Sequence, residues 1–542
     1  MSRGARTRSH SRPGNAAPAS TQPATRRRHL TRKDKPLSDN DLAAARLGQV
    51  GAVPAPAVQT GESFAAWSPQ GLRVHLIGIG GCGMRGTAAV LLREGALVSG
   101  SDRTDSGALH RLTEQGVTVH VGQCGENIPP DCGLVVHSAA IHEDNPELLA
   151  ARERGIPIIK YSQLLGRLMA RRKGIAIAGT HGKSTTSAMT SYILHQAGVD
   201  PSFVIGAGVE QLGGGSGVGD GEHFVVEACE YDRSFLNLRP RLATILNIEE
   251  DHLDFSSGLD AIIESFRAFA SLVPADGLLV VNGADKNAMR AAEGVSASVE
   301  TFGFEGEVDW RAEVLDAARG CYRFRIWKGG RPLVRIQLAM PGRHHVANAL
   351  AATAICCHCG IDPTQVAAAL STFRGAYRRM TLRGEIDNIP VVDDYAHHPT
   401  EIQVTLRAAR EYYTPRRMFV VFQPHQHSRT RFLLSDFARS FGSADVVIVP
   451  DIYFVRDSES ERDLVDAKDL VEKITLNGGE ARYEPNFANI VRQLCAEVQP
   501  GDMVVTMGAG NVWRIADDVL VCLARSRGLE QEFVAAGDAA EH

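Results

Sequence analysis

No apolar run in this chain approaches the ~18–20 residues that a bilayer-spanning helix needs, and the N-terminus carries no apolar signal core. Both absences argue against a membrane or secreted protein and lead us to expect the cytoplasm. The ten cysteines offer no framework. They are scattered, and no second ligand cluster at zinc spacing stands opposite Cys356-Cys357-His358-Cys359. That run ends an apolar helical stretch and reads as core or helix end rather than as a metal site. Unpaired thiols in this number fit a reducing compartment. No excess of one charge is present: the net charge of −5 argues against a dedicated nucleic-acid binder but leaves small anionic ligands open. No fixed-period repeat is visible.

What is present is a soluble composition, 44% hydrophobic and 22% charged, spread over 542 residues. That length suits three or four domains. Residues 1–70 read as a basic tail that does not fold. The first 35 residues hold ten Lys/Arg against one acid, a composition unable to bury enough apolar area to offset chain entropy. Arg26-Arg27-Arg28 could touch an anionic partner, although a merely solvated tail is the simpler reading.

The central stretch is Ile175-Ala176-Ile177-Ala178-Gly179-Thr180-His181-Gly182-Lys183-Ser184-Thr185. A buried strand runs into a glycine turn that opens a helix, the arrangement that holds a nucleotide triphosphate. Backbone N–H groups and the helix dipole would face the phosphates. Lys183 would neutralise the β/γ-phosphates, and the Ser184 hydroxyl would face Mg²⁺. The full motif wants an earlier glycine, and Ala178 stands there instead.

Three α/β domains are expected around it. In residues 71–170, an alternating strand meets Gly78-Ile79-Gly80-Gly81-Cys82-Gly83-Met84, a Rossmann-like first turn suited to a diphosphate. Gly100-Ser101-Asp102 ends the second strand, where an acid could meet a ribose. In residues 171–372, two more apolar strands end at Glu227 and at Asn247-Ile248-Glu249-Glu250-Asp251-His252. Polar residues after buried parallel strands lie where such sheets place their sites, so Glu227 and His252 are candidates to face the Lys183 loop. A helix-capping acid and a structural histidine are the plainer alternatives. Gly342-Arg343-His344-His345 opens an Ala-rich helix carrying Asn348. Residues 373–542 form the third domain, with Asp393-Asp394-Tyr395-Ala396-His397-His398-Pro399-Thr400-Glu401 and Phe422-Gln423-Pro424-His425-Gln426-His427-Ser428-Arg429 after apolar strands.

These motifs, in this order over residues 72–525, resemble the ATP-dependent Mur ligases of peptidoglycan synthesis. The resemblance implies a Rossmann-like UDP-binding domain, a central P-loop ATPase-like domain and a C-terminal Rossmann-like α/β domain. Gly78, Gly80, Gly81, Gly83, Met84, Ser101 and Asp102 look like the UDP-sugar site. Residues 179–185 look like the family's own form of the ATP loop, which accounts for the missing glycine. His344, Asn348, Arg379 and Asp394 look like further ATP contacts. Ser184, Glu227 and His252 look like the metal ligands, for Mg²⁺ or Mn²⁺. Tyr395, His397 and Arg429 look like the amino-acid side. Several relatives place a carbamylated lysine beside the second metal, but no lysine occurs between Lys183 and Lys286.

The segments 422–425, 428–430 and 400–401 resemble the branch of the family that adds alanine. Glu230-Tyr231-Asp232 resembles a run in the branch that rejoins a whole tripeptide. The expected substrates are therefore UDP-N-acetylmuramate and L-alanine, with no nucleic acid and no membrane as partner. The implied route activates the muramoyl carboxylate as an acyl phosphate, which the neutral amine of alanine then attacks. Lys183, Glu227 and His252 would carry the first step, and His397 is a candidate base or amino-acid contact. The family commonly has Asp, Asn and Arg-Tyr where Cys229, His345 and Gln426-His427 stand, so the hold on the amino-acid carboxylate rests on Arg429, with His427 a partial substitute. A non-catalytic nucleotide-binding protein on the same fold is the competing class.

Overall fold

The computed structural model describes residues 67–251, 258–455 and 457–529. Most of the expected tail lies outside the described residues, as does His252. Trp67, counted with the tail, already belongs to the packed region: the Arg167 guanidinium lies 5.6 Å from its ring centroid, and its carbonyl accepts a 2.8 Å bond from Arg171.

The described strands form three sheets, each with helices packed against it, so the class is α/β in three domains. The first is wholly parallel, in the order β3-β2-β1-β4-β5. Its strands are β1 (Arg73–Ile77), β2 (Leu97–Asp102), β3 (Thr118–Val121), β4 (Leu134–His137) and β5 (Ile158–Lys160). The order reverses between β1 and β4, and the glycine turn after β1 leads there into helix α1 (Cys82–Arg93). A crevice at such a switch point is where open parallel sheets take ligands. Beneath it lies a fully buried carboxylate, Glu147, which accepts from Ser101 Oγ and Asn127 Nδ2, both at 2.6 Å. Burial alone would raise its pKa, but the His75 ring 3.7 Å away and the hydrogen bonds from Ser101 and Asn127 outweigh it and hold the group ionised. Glu147→Ala orphans these donors and is expected to cost about 3 kcal/mol, read as a lower urea midpoint; an unchanged midpoint would contradict the network's role.

The second sheet has ten strands, in the order β15-β14-β13-β12-β11-β10-β6-β9-β7-β8. They are β6 (Lys173–Ala178), β7 (Ser202–Val204), β8 (Ser216–Gly217), β9 (His223–Glu227), β10 (Leu242–Ile245), β11 (Leu278–Asn282), β12 (Ser298–Gly303), β13 (Trp310–Ala318), β14 (Cys321–Lys328) and β15 (Arg331–Pro341). Strand β6 runs parallel to both neighbours and is buried from Ile175 to Ala178. A continuous Ile/Val/Ala run of this kind suits a strand covered on both faces. Helices α2 (Lys183–Gln196) and α3 (Arg343–His358) share one apolar cluster on one face. The antiparallel strands β14 and β15 extend one edge, and β8 closes the other.

The third sheet runs β16-β17-β21-β18-β19-β20. Its strands are β16 (Thr381–Ile386), β17 (Ile389–Asp394), β18 (Met418–Phe422), β19 (Val446–Val449), β20 (Ala481–Tyr483) and β21 (Met503–Met507). Apolar clusters cover both faces, one including helix α4 (Pro399–Tyr413) and the other helix α5 (Trp513–Ser526). Among the described residues no helix is long and apolar enough to cross a membrane.

Candidate functional site

Parallel register brings the carboxyl ends of the central strands together. Ala178 pairs with Ile245, and Ile177 with Glu227, so the loops after β6, β9 and β10 open on one side. The turn after β6 needs glycine twice. Gly179 has φ +147° and Gly182 φ +83°, and a Cβ on Gly182 would sit 2.6 Å from Asn348 Oδ1 of α3. Asn247 clamps the same turn, accepting from the His181 N–H at 2.7 Å and donating to the His181 carbonyl at 3.1 Å. The N-terminus of α2 therefore opens beside Asn348, with its unpaired N–H groups and positive dipole end in the cleft.

The Lys183 ammonium donates to three acceptors: the Gly179 carbonyl (2.7 Å), the Thr180 carbonyl (2.9 Å) and Glu230 Oε1 (2.9 Å). Burial opposes its charge, but the Glu230 carboxylate outweighs burial and raises the pKa. The other oxygen of Glu230 is buried without a partner among the described residues. Ser184 Oγ donates to Glu227 Oε1 at 3.0 Å, while Glu227 Oε2 accepts from the Gly206 N–H at 2.6 Å. A hydroxyl and a carboxylate side by side at a helix N-terminus form a hard-oxygen pair that fits Mg²⁺.

The third sheet closes this cleft from the opposite side. Asp394, at the end of β17, accepts from the N–H groups of Met380 (2.6 Å) and Ala396 (2.7 Å). Burial, only partly offset by Arg379, raises its pKa to about 6. Arg379 reaches across to Ser184 Oγ at 3.5 Å and to Glu401 at 3.9 Å. Tyr395 carries the Arg378 and Arg379 guanidinium groups 5.1 and 5.3 Å from its ring centroid. His181, Gly182, Asn348, Arg379, Asp394 and Glu401 all line one cavity of about 180 Å³. At its far end His344 and His345 stand Nε2 to Nε2 at 3.1 Å. Burial lowers both, His344 to about 4, so the pair is neutral and one ring donates to the other.

His181 belongs to an ion cluster between the two sheets. Its Nδ1 lies 3.1 Å from Glu401 Oε1 and its Nε2 3.6 Å from Glu249 Oε2. Burial disfavours the imidazolium, yet the two carboxylates overcome burial and raise its pKa to about 9. Glu249, half-buried beside the His181 ring and accepting from the Thr400 hydroxyl (2.7 Å), falls to about 2. The sign of the linkage follows from a folded-state pKa above the ordinary 6.5: the contribution is whole below pH 6.5 and is lost as pH rises through about 9. Thermal melts of wild type and His181→Gln are therefore expected to differ at pH 6.5 and to converge above pH 9; a gap that stays constant with pH would contradict this reading.

On the amino-acid side, His397 Nδ1 bonds the Tyr395 carbonyl at 3.1 Å, and burial lowers its pKa to about 4. Arg429, 7% exposed, places Nε and Nη2 each 2.9 Å from Asp251 Oδ1, and Nη1 3.3 Å from His425 Nδ1. His427 does not extend this group: its ring packs beside Phe454 and 3.9 Å from Asp457. In the first sheet, Asp102 fixes the glycine turn by accepting from the Gly80 N–H at 2.9 Å. Gly83 is required by close packing, since a Cβ there would lie 2.3 Å from the Tyr161 hydroxyl. Met84 and Ser101 have their side chains in the core, Met84 at 3% and Ser101 at 0% exposure. Only their backbone can serve a ligand at this turn. Sequence reasoning misses Glu249, His398 and Glu401 as site residues, although each lies inside a motif that it does find.

A strand-borne phosphate loop, a sugar-nucleotide-type glycine turn and a third sheet closing over the phosphate loop define a nucleotide-dependent ligase architecture. The chain belongs to the Mur ligase family. Residues 73–173 match the Mur ligase family, catalytic domain, residues 177–356 the Mur ligase middle domain, and residues 378–510 the Mur ligase, glutamate ligase domain. A UDP-N-acetylmuramate–L-alanine ligase of Caldanaerobacter subterraneus is 42% identical over 450 residues, 83% of this chain and 97% of the relative. Among solved structures, a UDP-N-acetylmuramate-alanine ligase from Thermotoga maritima superposes with a TM-score of 0.71 at 27% identity, covering 84% of this chain and 99% of that one. A murein peptide ligase from Psychrobacter arcticus gives 0.65 at 28% identity with the same coverage.

Proposed function

We propose that this chain is an ATP-dependent carboxylate–amine ligase that joins L-alanine to UDP-N-acetylmuramate in peptidoglycan precursor synthesis, releasing ADP and phosphate. The observation that carries this reading is the convergence of Lys183, the Ser184–Glu227 pair and Arg379 on one cleft between the central and third sheets. ATP and a UDP-sugar as substrates place the reaction in the cytoplasm.

The first step brings two anions together, the muramoyl carboxylate and the γ-phosphate, so neutralising charge governs its barrier. Lys183 is the point charge on the β/γ-phosphates, and the N-terminus of α2 adds backbone donors. Arg379 approaches the same hydroxyl from the third sheet and would enter as the sheets close. Ser184 and Glu227 would hold Mg²⁺, which when bound offsets phosphate charge; Mn²⁺ suits the same donors. We assign His252 to a second ion on family resemblance, and it lies outside the described residues. His344 and Asn348 line the same cavity, which supports reading them as further ATP contacts.

Alanine, its ammonium proton lost to solvent, then attacks the acyl carbon as the neutral amine; the tetrahedral adduct breaks its C–O bond to phosphate, and the remaining excess N–H proton passes to the departing phosphate. An imidazole held near pKa 4 is a weak proton acceptor at pH 7. We therefore read His397 as a hydrogen-bonding contact for the amino acid rather than as its base. Arg429 and Tyr395 form the remaining amino-acid side.

Phosphate release from ATP is expected only when UDP-N-acetylmuramate and L-alanine are both present. Glycine and serine should react slowly rather than not at all, because one small group in a pocket discriminates by ~1–3 kcal/mol. Release with the tripeptide but not with alanine would replace this reading with the recycling branch. No release under any combination would favour a binding protein.

A further inference from the structure

We propose that His181, Glu249 and His398 form a further cation site, separate from the Ser184–Glu227 pair and from the ion assigned to His252, which takes a transition-metal ion of the zinc class and ties the phosphate loop to the third sheet. One ligand atom from each residue lies within 4.8 Å of the others. Glu249 Oε2 sits between the two rings, 3.6 Å from His181 Nε2 and 3.8 Å from His398 Nδ1. Zinc bonds of ~2.0–2.2 Å in a tetrahedron hold ligand atoms roughly 3.3–3.5 Å apart. Those two edges need to close by only a few tenths of an ångström, and the edge between the two rings, within 4.8 Å, by up to about 1.4 Å.

The outer contacts are those a metal-binding histidine uses. A ligating imidazole almost always gives its other nitrogen to a carboxylate or a backbone carbonyl, which fixes the tautomer and the ring. His181 Nδ1 faces Glu401 Oε1 at 3.1 Å, and His398 Nε2 faces the Glu250 carbonyl at 3.3 Å. Among the described residues, His181 Nε2 is buried with no hydrogen-bond partner. His398 is 5% exposed, and its Nδ1 receives a long 3.3 Å contact from the Thr400 N–H, which an ion would displace. The Thr400 hydroxyl steadies Glu249 Oε2 at 2.7 Å.

Donor chemistry sets the class of ion. Two imidazoles and one carboxylate, with a fourth position open, suit Zn²⁺, Co²⁺ or Ni²⁺, whereas Mg²⁺ prefers oxygen and retains its waters. The ligands come from the loop after β6, the loop after β10 and the residue capping α4. An ion here therefore cross-links the second and third sheets beside Gly182, and occupancy would hold the cleft in one arrangement. Such a site is independent of which amino acid the enzyme adds.

The test uses the full-length chain stripped of metal with a chelator and titrated with Co²⁺, followed by its visible d–d absorption. Expected is one equivalent of tetrahedral-type Co²⁺ that Zn²⁺ displaces and millimolar Mg²⁺ does not. His398→Gln and Glu249→Gln should each weaken the Co²⁺ affinity about 10-fold or more, while Ser184→Ala leaves the band in place. An absent band, a band removed by Mg²⁺, or a band unaffected by both substitutions would overturn the proposal. The wild-type titration and its Mg²⁺ competition read the first two outcomes even if a variant fails to fold.

Discussion

Lys183→Ala is expected to lower phosphate release by on the order of 10³-fold or more, while calorimetry still detects UDP-N-acetylmuramate binding. The ammonium stands at the mouth of the α2 dipole with three acceptors already in place, two of them carbonyls of its own loop. Its position is therefore set by the turn. Arg379 reaches Ser184 only at 3.5 Å from the third sheet, so it cannot occupy the place of the lost charge. The UDP-sugar turn lies on the first sheet and is built from other residues, which is why binding there should survive. Turnover within a few-fold of wild type would remove Lys183 from the chemistry.

Arg378→Ala should produce the largest loss of stability outside the apolar core. Asp393 is 1% exposed, and its carboxylate is held by Arg378 Nε and by the Thr506 hydroxyl, both at 2.8 Å. Arg378 also donates to the Gly508 carbonyl at 2.7 Å. Removing one partner of a buried ion pair leaves a desolvated charge, at a cost of about 3–5 kcal/mol. Urea unfolding of the third sheet should show it as a lowered midpoint. Arg378→Lys should recover only part of the loss, because an ammonium cannot reproduce the guanidinium fork. A midpoint unchanged in the alanine variant would show that Asp393 is stabilised by other means.

The parts of the site that one chain segment builds by itself are legible in the sequence. The strand–glycine–helix run at residues 175–186 is local, and its turn forms where the glycines stand. Glu227 is legible for a related reason: an acid at the end of a buried strand has only the sheet's carboxyl edge to face. What escapes is the cluster of His181, Glu249, His398 and Glu401. Its members come from three segments whose approach depends on how the third sheet docks on the second, and spacing along the chain carries no trace of that. Ser101 and Met84 show the converse. They sit beside a ligand-type turn in sequence, but strand and helix periodicity turns their side chains into the core. The antiparallel strands at Trp310–Ala318, Cys321–Lys328 and Arg331–Pro341 are marked by no motif. Their alternation is interrupted by register shifts in both pairings.

Strand β21 lies between β17 and β18 although it is the last strand among the described residues. Both neighbours are parallel to it and buried along their length, and each has one edge that only β21 fills. During synthesis the second sheet has all its strands once Pro341 has emerged, whereas the third stays divided until residues 503–507 leave the ribosome. For more than eighty residues after β18 is made, two apolar strand edges wait for the same partner. Open edges of this kind recruit other chains, and long-range parallel pairing is slow. A chain stopped shortly before Asp502 would then keep a finished phosphate loop and present a split, aggregation-prone third sheet. Completion of the third sheet thus waits on β21, long after the nucleotide site has all its strands.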